Sequence, residues 1–132
     1  MEVKQKVPEV QYDLFCREVI DNGELTFRDV LHNIGVGRPK DIAVTLVIRF
    51  LNAALGLHKI TINCLIPPTQ LLKWDIDIEL KELKAYLITQ PLIIPILQSN
   101  KLIFTILFDG TPVKSLWLPV EVLQEKISKL SS

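Results

Sequence analysis

This chain of 132 residues has little of what marks a specialised class. It has two cysteines, Cys16 and Cys64, far apart and without C-x-x-C spacing. That excludes a disulfide-dense scaffold, and the two thiols read as small buried hydrophobes. Charge of one sign is also missing. Fifteen basic residues balance fifteen acidic ones, so no global positive field exists to hold DNA, RNA or an anionic membrane. No run approaches the roughly 18–20 apolar residues that cross a bilayer. The longest candidate, 85–97, is broken by Thr89, Gln90, Pro91 and Pro95. The first six residues carry no apolar signal core, so the expectation is an intracellular protein with reduced thiols and no membrane partner. Five glycines and the absence of repeats or low-complexity tracts exclude linker arrays.

What is present is aliphatic. Apolar residues make up 48% of the chain against 23% charged, which is globular rather than disordered. The length fits a single domain over 1–132, with sub-parts at 11–80 and 81–132. Leu, Ile and Val are about a third of the residues while aromatics are only 7%, so some aliphatic surface is expected to stay exposed unless another chain covers it. Self-association into a homodimer or higher oligomer follows, driven by burial at roughly 25 cal/mol per Å². The Ile, Leu and Lys usage also suits a thermophile or a virus.

Periodicity predicts three helices and then strands. Gln11 to Asp21 carries Leu14, Phe15 and Val19 as a stripe and stops at Asn22-Gly23. Thr26 is a candidate N-cap for a second helix over Phe27 to Ile34. Lys40 to Leu55 reads as the longest helix, because its polar residues Asp41, Thr45, Arg49 and Asn52 keep spacings of four, four and three. Lys59 to Leu65 alternates like a strand, Ile66-Pro67-Pro68-Thr69 forms a tip, and Leu72 to Leu80 alternates again. Pro91 to Pro95 belongs on an edge. Lys101 to Phe108, apolar on both faces, reads as a central strand that turns at Asp109-Gly110 into Val113 to Leu118. Val120 to Leu130 reads as a closing helix.

The fold class predicted is therefore α+β: an N-terminal helical, winged-helix-like part, then a mainly antiparallel sheet and a C-terminal helix. The expected core comprises Leu25, Phe27, Leu31, Val47, Phe50, Leu51, Ile76, Ile78, Phe104, Ile106 and Trp117. Phe50-Leu51-Asn52-Ala53-Ala54-Leu55-Gly56-Leu57, Lys59-Ile60-Thr61-Ile62 and Trp74-Asp75-Ile76-Asp77-Ile78 together resemble the C-terminal winged helix of kleisins, the subunits that bridge chromosome-organising ATPases. That resemblance spans residues 50–78 and implies binding to a protein partner rather than reading of DNA.

Candidate chemistry is sparse. On a winged helix, Arg38, Lys40, Thr45, Arg49 and Asn52 would face nucleic acid with Lys59 on the wing, although Asp41 would repel a phosphate. Asp75, Asp77 and Glu79 share one strand face, where a metal-dependent nuclease would hold Mg²⁺ or Mn²⁺. The plainer reading is a solvated acidic face that blocks edge pairing. His32 and His58 lack ligand spacing, so no metal site and no cofactor are expected. Gly35-Val36-Gly37 is a tight turn before it is an anion cradle. The function expected is a small non-enzymatic protein-interaction or oligomerisation protein that pairs through aliphatic surface near 91–118. The alternative is a winged-helix nucleic-acid-binding or regulatory protein.

Overall fold

β-branched and aromatic runs, cut at short intervals by Gly, Asn, Asp and Pro, form nine strands in the computed structural model, which describes residues 7–82 and 85–123. The strands are β1 (Glu9–Asp21), β2 (Leu25–Leu31), β3 (Ile34–Val36), β4 (Lys40–Leu51), β5 (Gly56–Ile66), β6 (Gln70–Leu80), β7 (Tyr86–Ile96), β8 (Asn100–Phe108) and β9 (Thr111–Val122). They build a four-stranded sheet, β2-β1-β4-β7, and a five-stranded sheet, β3-β9-β8-β5-β6. Neighbours pair antiparallel except β3 and β9, which run parallel.

The sheets face one another across one hydrophobic core. Alternate residues point inward: Ile42, Val44, Leu46, Ile48 and Phe50 from β4 meet Ile60, Ile62 and Cys64 from β5 and Leu102, Phe104, Ile106 and Phe108 from β8. Aromatic contacts join the layers, with the Phe15 and Phe104 rings 4.8 Å apart and those of Phe50 and Phe108 5.6 Å apart. Lys114 of β9 reaches Asp13 of β1 at 3.7 Å and closes one side.

The expected helices are absent. No helical element is present among the described residues, so the α+β class, the winged helix and the kleisin-like wing are all overturned in favour of an all-β sandwich. The physical reason is clearest in β4. Asp41, Thr45 and Arg49 stand four apart, which is close to one helical turn but also two strand repeats, so one polar stripe fits either structure. The β-branched Ile42, Val44, Val47 and Ile48 tip the balance toward strand. The segments expected as first and second helices are β1 and β2. Of the expected closing helix, 120–122 lie in β9 and 124–130 fall outside the described residues.

β1 hides its alternation for a tertiary reason. Phe15 faces the core, yet Cys16 beside it is equally buried. Phe27 pairs with Val19, seven residues from Tyr12 along β1, or roughly 23 Å if the strand ran straight. The Tyr12 and Phe27 rings nevertheless lie 6.3 Å apart. The β1–β2 hairpin therefore bends back over the outer face of its own sheet. Opposite Arg17 at the bend, Asp29 takes the left-handed conformation at φ 57°. Beneath the returned hairpin Val47, facing outward from β4, is fully buried.

Candidate interaction surface

The other outer face carries no such cover among the described residues. Register places Leu71 of β6 beside Leu65 of β5, Leu65 beside Ile103 of β8, and Ile103 beside Trp117 of β9. These four share one row across the solvent side of the five-stranded sheet. Leu71 and Trp117 are each 60% exposed, and Leu65 and Ile103 are partly exposed. The Lys101 ammonium sits 3.5 Å from the Trp117 ring centre, so a cation caps the aromatic end of the row.

The next row, Lys73, Asn63, Thr105 and Ser115, is polar. Asn63 Oδ1 is buried there without a hydrogen-bond partner, an acceptor left unmatched on the face. Beyond it the Thr61 hydroxyl donates to Asp75 at 2.7 Å. That hydrogen bond holds the Asp75 carboxyl below its ordinary range, against a small opposing desolvation, with help from the charges of Lys73 and Lys59. Asp75, Asp77 and Glu79 do share the exposed face of β6, as the alternation implied. Asp77 lies opposite Lys59, and Lys73 is 3.7 Å from Asp75. Cations thus accompany the row, and no grouping of metal-ligating side chains is present among the described residues.

The residues considered for nucleic acid are scattered. Arg38 is in the loop before β4, Lys40 opens that strand opposite Ile96, and Thr45 and Arg49 face outward between β1 and β7. Asn52 follows β4 in the left-handed conformation at φ 62°. Lys59 is on the other sheet, facing away from all of them. Lys40 to Leu51 alone spans roughly 36 Å as a strand, so these groups form no common patch. Gly35 and Val36 belong to β3, and no helix follows to supply an anion-binding N-terminus. Gly35 does line a cavity of about 230 Å³ with Arg17, Lys40 and Asp41.

His58 has a structural role. Its ring is buried, 4.6 Å from that of Phe108. Nδ1 donates to Asp109 Oδ2 at 2.6 Å, and Nε2 donates to the Ala54 carbonyl at 2.6 Å, since a carboxylate and a carbonyl only accept. The Lys59 amide donates to the other Asp109 oxygen at 2.8 Å, and the Asp109 amide returns a bond to the Lys59 carbonyl at 2.8 Å. The imidazole thus ties the β4–β5 connection to the β8–β9 turn. Desolvation pushes the Asp109 carboxyl up, but the hydrogen bonds from His58 and Lys59 and the His58 charge outweigh it and leave it below the ordinary value. Cys64, enclosed in the core, has its thiol pushed up to about 12 by burial.

Sequence reasoning placed Trp117 in the core and did not find the row. The available signal was β8 itself, apolar on both faces although only one face meets the other sheet. No family model, curated protein or solved structure matches this chain.

Proposed function

We propose that this is a small non-enzymatic interaction protein whose working surface is the outer face of the five-stranded sheet, presented to a protein partner. The observation that carries the reading is the in-register row Leu71, Leu65, Ile103 and Trp117. Beyond its contact with Lys101, a tryptophan held 60% exposed contributes little to folding, whereas a tryptophan buried in a protein contact is among the strongest anchors known. The adjoining Lys73, Asn63, Thr105 and Ser115 give the row a polar margin able to form hydrogen bonds across an interface. The groups best suited to chemistry are otherwise engaged: His58 in a structural tie, Cys64 protonated within the core, and Asp75 bonded to Thr61. An intracellular setting accords with two buried free thiols, and no helix among the described residues is long and apolar enough to cross a membrane.

The test compares wild-type and Ile103→Asp proteins as baits in a lysate of the source cells, after circular dichroism shows the same fold for both. A protein retained by the wild type and lost by Ile103→Asp is the expected result. Identical retention by the two baits removes the face from consideration.

A further inference from the structure

Four strand edges bound the two sheets among the described residues, and three of them are blunted. β3 is three residues long. β2 is interrupted by Asp29 in the left-handed conformation. β7 contains Pro91 and Pro95, which pair with Thr45 and Asp41 of β4. Those prolines are an even number of residues apart, so their missing N–H groups fall on the same side of β7. The ladder to β4 is unbroken from Lys40–Ile96 to Phe50–Tyr86, so that side is the free edge. Three edges therefore carry the devices by which sheets avoid edge-to-edge pairing.

β6 is the exception. Its eleven residues keep continuous register with β5 from Gly56–Leu80 to Ile66–Gln70, with no proline and no left-handed residue. Leu72, Trp74 and Ile76 point to the core side, yet they stay partly exposed where their neighbours Cys64, Ile62 and Ile60 on β5 are fully buried. The core is unfinished along this edge.

We infer that β6 pairs antiparallel with β6 of a second copy, about a two-fold axis at Trp74, joining two five-stranded sheets into one of ten. Charge selects that register. Registers that place core-facing residues opposite outward ones are excluded by the pleat. Centring on Lys73, Asp75 or Asp77 sets each of these opposite its own copy, although the Asp75 centre also sets Lys73 opposite Asp77 twice. Centring on Ile76 sets Asp75 opposite Asp77 twice, against two Lys73–Glu79 pairs of opposite charge. Centring on Trp74 sets Lys73 opposite Asp75 on both sides of the axis, with Leu72 opposite Ile76 and Trp74 opposite Trp74. Of these registers, the Trp74 centre alone has two opposite-charge pairs and no like-charge pair, so the charged face of β6 favours that alignment. The outer-face row reaches this strand at Leu71, but Ile103 and Trp117 lie two and three strands away, so a change at Ile103 tests the row without touching the edge.

The experiment is sedimentation equilibrium of the full chain at high micromolar concentration, for wild type, Lys73→Glu, Asp75→Lys, the double variant and Ile103→Asp. Both charge changes are at exposed positions, and folding is checked by circular dichroism. Expected is a wild-type dimer, weakened about tenfold or more by each single charge reversal, because two attractive pairs become two repulsive ones. The double variant should regain most of the affinity, since exchanging the charges rebuilds both pairs, and Ile103→Asp should dimerise like the wild type. A wild-type monomer overturns the proposal. So does a dimer indifferent to the charge reversals, or one lost only in Ile103→Asp, which would instead assign self-association to the outer face.

Discussion

Val47 and Ile103 occupy comparable places. Each lies on a strand with neighbours on both sides, and each points away from the core. Val47 is fully buried on the face over which the β1–β2 hairpin bends back, while Ile103 remains partly open beside a tryptophan that is 60% exposed. The hairpin that includes the seven residues of β2 thus returns over one outer face, while on the other an apolar row stays uncovered among the described residues. Apolar composition on an outward strand face is therefore not enough to say whether a position serves folding or binding. What decides is whether another part of the same chain returns to cover it. On that argument the Val47 side belongs to stability, and the Ile103 side is the one we propose for recognition.

The largest test of this contrast puts the same change on both faces. Val47→Asp leaves a carboxylate under the hairpin without a partner, and we expect a loss of about 3–5 kcal/mol in urea unfolding. Ile103→Asp exposes its carboxylate to water and should alter stability by less than about 1 kcal/mol. Equal losses at the two sites would mean that the bare face is also a structural requirement, and the contrast would collapse.

Much of the second half of this fold was legible from sequence, and the first third was not. The strands from Lys59 onward alternate with a period of two, Asp109-Gly110 marks the β8–β9 turn with both residues at positive φ, and the prolines of β7 announce an edge. In β4 the four-residue spacing of Asp41, Thr45 and Arg49 satisfies helix and strand alike. In β1 both Phe15 and Cys16 are buried, so alternation is erased by a hairpin whose return depends on a bend at Arg17 and Asp29. The site was obscured for a related reason. Alternation shows which residues share a face but not which face meets the partner sheet, and a tryptophan such as Trp117 is ordinarily assigned to the core. His58 was equally opaque, since its acceptors are four residues back and fifty-one residues ahead.

The tie made by His58 offers the next test, smaller than that at Val47. His58→Ala removes one of the donors to the Asp109 carboxylate, which keeps the Lys59 amide, and the imidazole donor to the Ala54 carbonyl, and should cost about 2–4 kcal/mol. The same tie predicts a pH dependence. The folded Asp109 carboxyl is held below its ordinary value, so its contribution is fully present above the unfolded carboxylate pKa of roughly 3.9 and is lost as pH falls through the folded value. Urea midpoints measured from pH 6 down to pH 3 should therefore fall more steeply for wild type than for Asp109→Asn. Parallel curves would show that the ionised carboxylate contributes no stability through this tie.

The gentlest probe of the contrast uses the two native thiols and changes nothing in the chain. Cys16 and Cys64 are both fully buried and both raised in pKa by burial, that of Cys16 partly offset by the backbone hydrogen bond at Glu18. Their enclosures differ. Cys64 faces inward between the sheets, so its exposure requires them to separate. Cys16 faces outward at the start of the bend, opposite Thr45 and Val30, and a hairpin that lifts while the sandwich stays closed uncovers it. Local openings of that kind require less free energy than global unfolding. With a thiol reagent in native buffer, Cys16 should therefore label about tenfold or more faster than Cys64, an opening-energy difference of about 1.4 kcal/mol or more. Each site is followed by digestion and mass spectrometry. Equal rates would mean that the hairpin opens only when the whole sandwich does, and that the cover over Val47 is as much a part of the core as Phe104.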